Sequence, residues 1–257
     1  MTADVLAGLP TRWQADRFLL SDRSRWAELE AYGDDDGVLL VVRSAGLPGV
    51  SLLGRGDGHV VDRLVADVSD RFDVVRWMSV PRASCPAPGA LDSLGLVPFS
   101  AWDWMSSDVA PPAVTGEERV VRLDPVRDAG AIRACLAVSN PGTSADPEAP
   151  GEIGWWGVRD GTTLTGVVGV TGRGATAGRT SWHLHGLGVR AEARGSGLGS
   201  ALTAVATRTG LADGAAWVGL GIYASNDGAR RLYRRLGYRT DVEMSSFAPE
   251  HADRPPA

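Results

Sequence analysis

Apolar and polar positions alternate along the chain in two runs of elements. The stretch Asp108–Gly116 separates them, because Pro111 and Pro112 break both the helical and the strand period. In the first run Trp13, Phe18, Leu19, Trp26, Leu29 and Tyr32 recur at helical spacing and predict one or two helices over 12–32. A turn at Asp34–Gly37 is followed by strands at Val38–Arg43 and Val50–Gly54, a helix at Val60–Val68 and a strand at Val74–Val80 stopped by Pro81. A short helix near Ala90-Leu91 and a strand at Ala101–Ser106 complete the run. The second run opens with a strand at Arg119–Leu123. Asp124 and Pro125 then read as the cap and first-turn proline of a helix to about Val138. Asn140–Gly151, with Pro141, Pro147 and Pro150, is a long loop suited to a lid or an acceptor wall. A hairpin follows, Ile153–Arg159 with Thr162–Val170 turned at Asp160-Gly161, and a further strand starts at Thr180. A small-residue helix including Ala201–Ala206 with Gly210 as its cap, a strand at Ala215–Tyr223, a helix over 227–236 ended by Gly237 and a strand at Val242–Phe247 finish the pattern. The tail from Pro249 is expected to fray.

The order strand, helix, strand, short helix, strand occurs in both runs. Leu94-Gly95-Leu96 followed by Trp104-Met105-Ser106-Ser107 echoes Leu236-Gly237-Tyr238 followed by Glu243-Met244-Ser245-Ser246. The expected fold class is therefore α/β (α+β), two tandem units cut at 1–112 and 113–257. Each would have a mixed, mostly antiparallel central sheet flanked by helices.

Composition narrows the function classes. Of 257 residues 44% are hydrophobic and 22% charged, enough for a packed core. No apolar run is long enough for a membrane span, and the opening Met1–Pro10 has neither a basic start nor a long apolar core. Cys85 and Cys135 have no metal spacing and do not make a disulfide scaffold, so a reducing, cytoplasmic setting is expected. All 26 basic residues are arginine. Residues 1–112 hold 10 of them against 16 acidic residues, and residues 113–257 hold 16 against 15, so an anionic ligand prefers the second unit. No basic stripe suggests nucleic acid.

The chemistry concentrates in His183–Ser200. His183, His185, Leu187 and Val189 alternate onto one face of a strand; Gly186 and Gly188 interrupt the other, where glycine marks a bulge or a close backbone approach. Arg194-Gly195-Ser196-Gly197-Leu198-Gly199-Ser200 then leads into the small-residue helix. A glycine loop at a helix start presents unpaired N–H groups and the positive dipole end, a site for phosphate. A P-loop is excluded because the chain has no lysine, and the glycine spacing is not that of a dinucleotide fold.

Arg-x-x-Gly-x-Gly after a Leu-x-Val strand resembles the acetyl-CoA signature of the GCN5-related N-acetyltransferases (GNAT). Asn226-Asp227-Gly228-Ala229-Arg230-Arg231-Leu232-Tyr233, continued to Gly237-Tyr238, is similar to that family's closing motif. The resemblance implies acetyl-CoA as cofactor, with the pyrophosphate on the N–H groups of 194–200 and Arg194 adding charge. It places the pantetheine arm along Leu187, Gly188 and Val189, where an N–H polarises the thioester carbonyl. Asn226 and Ala229 would lie near the arm, and Arg230 and Arg231, at the start of the next helix, within reach of the ribose phosphate. Asn226 is equally a helix cap, and Arg230 and Arg231 equally solvated surface.

Tyr233 matches the family's general acid; the alternative is a core tyrosine beside Ala229, Leu232 and Leu236. His183 and His185 resemble the paired histidines of the arylalkylamine N-acetyltransferase branch, linked there to proton removal, and Glu152 is a second candidate for base or ammonium anchor. Trp155, Trp156 and Trp182 line an acceptor pocket or fill the core.

The first unit lacks the glycine loop and places Asp57 where phosphate would sit, with Leu91 in the position of Tyr233. It reads as a degenerate GNAT-like copy without a cofactor site. The expected activity is acetyl transfer to a primary amine of a small molecule by direct attack in a ternary complex, by a monomer or homodimer. The alternatives are a non-catalytic acyl-CoA sensor and a relative of mycothiol synthase, which shares the tandem layout and acts on an amino-sugar conjugate.

Overall fold

A computed structural model describes residues 6–44, 46–175 and 179–252. The opening residues 1–5 and the tail beyond 252, both read above, lie outside the described residues. In chain order the elements are α1 (Thr11–Gln14), α2 (Arg17–Asp22), β1 (Glu28–Gly33), β2 (Gly37–Arg43), β3 (Val50–Gly56), α3 (Gly58–Val68), β4 (Val75–Pro81), α4 (Pro88–Leu94) and β5 (Val97–Ser107). Then come β6 (Val120–Leu123), α5 (Ala129–Ser139), β7 (Glu152–Asp160), β8 (Thr163–Gly174), β9 (Thr180–Val189), α6 (Leu198–Ala212), β10 (Val218–Tyr223), α7 (Asp227–Arg235) and β11 (Arg239–Ala248). The mixed α/β class holds, with mostly antiparallel strands. No helix among the described residues is long and apolar enough to cross a membrane.

The chain divides into two compact units. One holds the chain up to Trp104, with Ile222–Ser225 and the chain from Thr240 onward; the other holds Met105–Gly221 and Asn226–Arg239. Strands in the first unit run in the order β1-β2-β3-β4-β11-β5. The last strand, expected in the second unit, thus pairs with β4, Met244 opposite Pro81 and Phe247 opposite Met78. Ser246 on β11 meets Ser79 on β4 at 2.8 Å, and Trp102 Nε1 donates to the same Ser246 hydroxyl at 2.7 Å. These bonds satisfy polar groups that burial would otherwise leave costly.

Residues 28–32 form a strand, not the end of a helix. The spacing of Trp26, Leu29 and Tyr32 imitates a helical face, but the buried β2 leaves backbone groups along its edge that need a partner. β1 supplies it, Glu28 opposite Arg43 through Gly33 opposite Val38. The core of this unit lies between the sheet and α3, where Leu39, Val41, Leu52, Val61, Val65 and Met78 are buried. The start of α3 is closed by protein groups: Asp57 accepts from the N–H of His59 and Val60. A Cβ on Gly58 would stand 2.8 Å from the Ala83 carbonyl carbon, so the loop after β4 covers that helix end.

Strands in the second unit run β10-β9-β8-β7-β6. Asp124 does not cap α5. Its carboxylate accepts from the N–H of Val126 and Arg127 and builds a separate turn, and the helix begins at Ala129. Gly210 lies inside α6, not at its end. The place of its missing Cβ is 2.6 Å from Trp182 Cε3, so the glycine is there to admit the indole. Gly210→Ala is therefore expected to cost about 1–3 kcal/mol through overpacking. A urea midpoint equal to that of the parent chain would remove this explanation.

Candidate active site

The glycine loop is built as an anion site requires. β9 ends at Val189, a single 3-10 turn spans Ala191–Ala193, and α6 starts at Leu198. Gly195 and Gly197 have φ of +78° and +84°, a region that strains other residues. Gly197 occupies the N-cap with no side chain over the helix end, and residues 194–197 are exposed. The first N–H groups of the helix, from Leu198 through Ser200, have no intrahelical acceptor by construction. Ser196 turns its hydroxyl to the Ala193 carbonyl at 2.6 Å and leaves the loop lined by backbone. Arg194 does not point at this cradle. Its Nε donates to the Val189 carbonyl at 3.1 Å and a terminal nitrogen to the Ser139 carbonyl at 3.4 Å. In this arrangement its charge buttresses the loop from behind.

β9 and β10 part company just before the loop. They run parallel and pair from Trp182 opposite Val218 to Leu184 opposite Leu220. Beyond Leu184 no such pair follows among the described residues, which leaves the β10-facing edge of Leu187–Val189 available to an extended ligand. On the α5 side the Asn140 side-chain amide donates to the Leu187 carbonyl at 3.3 Å.

A β-bulge overturns the expected facing. The register with β8 slips between Gly169, opposite His185, and Val167, opposite Gly188, and Gly186 has φ of +58°. The extra residue reverses the alternation. His183 and His185 stay on the face that α5 covers. Gly188 turns to the same face, with its missing Cβ 2.2 Å from Ser139 Oγ. Val189 turns to the other, near Gly199 of α6. The four residues His183, His185, Leu187 and Val189 thus do not share one face.

Two separately chosen candidates meet on the α5 face. His185 Nε2 lies 3.0 Å from Glu152 Oε1, with the side chains 19% and 8% exposed. The strand registers explain the meeting. Glu152 is opposite Thr171, and Thr171 is opposite His183, so three neighbouring strands deliver one row of polar residues. Trp155 stands edge-on to the His185 ring at 5.3 Å between centroids. His185 Nε2, Glu152 Oε2, Thr171 Oγ1 and Trp155 Nε1 are enclosed and carry no hydrogen bond among the described residues, so the contact of His185 with Glu152 is one of charge. Thr171 and Gly169 were not singled out from the sequence. The spacing of small residues along Gly166–Gly172 was the available signal, since a Cβ at Gly169 would collide with both His185 and Trp155. Trp156 and Trp182 are buried against each other at 6.0 Å and belong to the core.

Tyr233 is the buried residue of α7, 6% exposed, with its ring 5.7 Å from that of Tyr238. Burial pushes its hydroxyl well above the ordinary tyrosine range, so it stays protonated and able to donate. Leu236 is buried with it, and Ala229 and Leu232 are half-buried on the same helix. Burial pushes Tyr238 up as well, and its hydroxyl meets Thr207 Oγ1 at 2.6 Å. Both groups bind protons more tightly folded than unfolded, so neither affects stability below about pH 10 and both weaken it above. The expected result is constant stability to about pH 9 and a fall through the alkaline range, with phenolate absorbance from these two rings appearing only on unfolding. Two early-titrating phenols at these positions in the folded chain would contradict it. Asn226 accepts from the Ala229 N–H at 3.0 Å and is a helix cap; Arg230 pairs with Asp227 at 2.5 Å.

Residues 134–238, from α5 through the end of α7, match the model of the acetyltransferase (GNAT) family. By this match the stretch is similar to a GNAT domain. Solved GNAT structures also share its fold over most of the chain. One from Novosphingobium aromaticivorans is 22% identical with a TM-score of 0.54, covering 90% of this chain and 96% of its own. A GCN5-related N-acetyltransferase from Kribbella flavida is 18% identical at 0.53, covering 87% and 90%. Another, from Sphaerobacter thermophilus, is 20% identical at 0.52, covering 83% and 80%. Among curated proteins none matches this chain in sequence. The matched family is one of acetyltransferases, whose general co-substrate is acetyl-CoA. The GNAT stretch contains the glycine loop, His183, His185, Glu152 and Tyr233.

Proposed function

We propose that this protein is an acetyl-CoA-dependent N-acetyltransferase acting on the primary amine of a small molecule, with the second unit as the catalytic one. The observation that carries the reading is on β9. One strand bears the enclosed imidazole–carboxylate contact and, a few residues on, the unpaired edge and open N–H cradle. The cradle fits a pyrophosphate, and the edge at Leu187–Val189 fits an amide-bearing arm.

In the proposed reaction a neutral amine attacks the thioester carbonyl, a nitrogen–carbon bond forms and the carbon–sulfur bond breaks. A backbone N–H near Val189 stabilises the developing oxyanion. The proton lost by nitrogen goes to His185, and the Tyr233 hydroxyl gives its proton to the departing thiolate. Solvent restores both groups. Direct transfer is supported by the cysteines: Cys135 is fully buried in the core with its thiol pushed up by burial, and Cys85 belongs to the other unit.

The first unit is proposed as a degenerate copy without a cofactor site. Asp57 already occupies the start of α3 with a negative charge, and the loop at Ala83 covers it. The test is an amine panel read by release of the CoA thiol, followed by initial rates with both substrates varied. Intersecting lines support the ternary complex and parallel lines refute it. A chain that shows no heat of binding with acetyl-CoA would refute the assignment altogether.

A further inference from the structure

Resting on that reading of the site, we infer that Glu152 is the positioning residue that sets which nitrogen of His185 carries the hydrogen, with His185 itself the proton acceptor. His185 Nε2 is enclosed and lies 3.0 Å from Glu152 Oε1, a charge contact whose geometry falls short of a hydrogen bond. A carboxylate oxygen at that distance attracts an N–H and repels a lone pair, so the neutral ring keeps its hydrogen on Nε2. With Nε2 enclosed, the 19% of the His185 side chain that remains exposed belongs to its other atoms. Nδ1, with its lone pair, is then the nitrogen that can meet an incoming amine.

Glu152 is badly placed to be the base. One of its oxygens faces the imidazole, and the other is enclosed, so neither lies open to an acceptor. The ring is packed on two further sides. Trp155 stands edge-on at 86°, and a Cβ at Gly169 would be 2.6 Å from His185 Cε1. Packing thus fixes the plane of the ring, but a hydrocarbon surface cannot choose between tautomers. The carboxylate makes that choice, and its charge matches the imidazolium formed when His185 accepts the proton from the amine. The step balances: one proton leaves nitrogen, Nδ1 gains it, and Nε2–H stays beside the Glu152 carboxylate.

The test uses the full chain with labelled histidine, comparing the parent protein with Glu152→Gln, Glu152→Asp and His185→Gln. A carboxamide can either accept from Nε2–H or donate to a bare Nε2. Nitrogen chemical shifts should therefore report the Nε2–H tautomer in the parent and a mixture in Glu152→Gln. In the same variant kcat should fall about tenfold to a hundredfold with the acetyl-CoA Kd unchanged, and Glu152→Asp should recover part of the loss. Identical histidine shifts in the parent and Glu152→Gln would overturn the inference. So would a raised acceptor KM with kcat kept, because that marks Glu152 as an ammonium anchor. A parent chain inactive on every amine overturns the proposed activity instead, and the tautomer readout then decides this inference alone.

Discussion

Tyr233→Phe is expected to lower kcat by about 10²–10³-fold while leaving the acetyl-CoA Kd nearly unchanged. The substitution removes one oxygen from a ring already buried on α7, so the packing that the ring provides is kept. What is lost is a proton donor held protonated by its surroundings. An undonated thiolate is a poor leaving group, and the loss falls on the step that breaks the carbon–sulfur bond. Turnover and calorimetric affinity measured on the same preparation separate the two effects. If kcat survives, Tyr233 is a core residue and the proton reaches sulfur from another source. If affinity collapses with kcat, the ring is part of the binding wall.

Gly197→Val is expected to weaken acetyl-CoA binding by about ten- to a hundredfold while sparing the global fold. Gly197 is at φ +84° at the N-cap of α6, and a β-branched residue there carries strain of about 1–3 kcal/mol. The space around the position is open: the nearest atom to a Cβ is the Thr115 carbonyl oxygen at 3.8 Å. The cost is therefore conformational, and the loop relieves it by rotating away from φ > 0, which disperses the N–H groups that would converge on a phosphate. Each 1.4 kcal/mol transferred to binding is about tenfold in Kd. Calorimetry with acetyl-CoA and a thermal melt of the apo chain test both halves. Unchanged affinity would move the phosphate contacts away from this loop.

Local chemistry in the sequence was readable where glycine and helix signals coincide. The loop at 195–199, the helix carrying Tyr233 and the strand carrying His183 and His185 were all placed from residue spacing. Gly186 and Gly188 mark a bulge or a close backbone approach in the sequence, but the reversal of facing is not legible there, because a period-two pattern looks the same whether or not one residue has been inserted. Only the partner strand reveals the slip between Gly169 and Val167. The meeting of Glu152 with His185 was hidden for a related reason. Each was chosen on its own, and it takes the registers of β7, β8 and β9 together to bring them to 3.0 Å. The direction of Arg194 was illegible because a long side chain beside a loop can turn to either side, and backbone carbonyls of Val189 and Ser139 outbid the open cradle. Trp26, Leu29 and Tyr32 misled for the opposite reason: an exposed edge strand puts little constraint on which positions are apolar.

The seating of β11 beside β4 has a consequence for how the chain is made. A domain that folds as it emerges from the ribosome needs its whole sheet in hand. Here the sheet containing β1 to β4 receives a strand encoded at 240–248, after every helix of the second unit has been synthesised. Its early strands must wait with an open edge at β4 until residues 240–248 have been made, so a chain stalled or terminated before them exposes its β4 edge to aggregation and proteolysis.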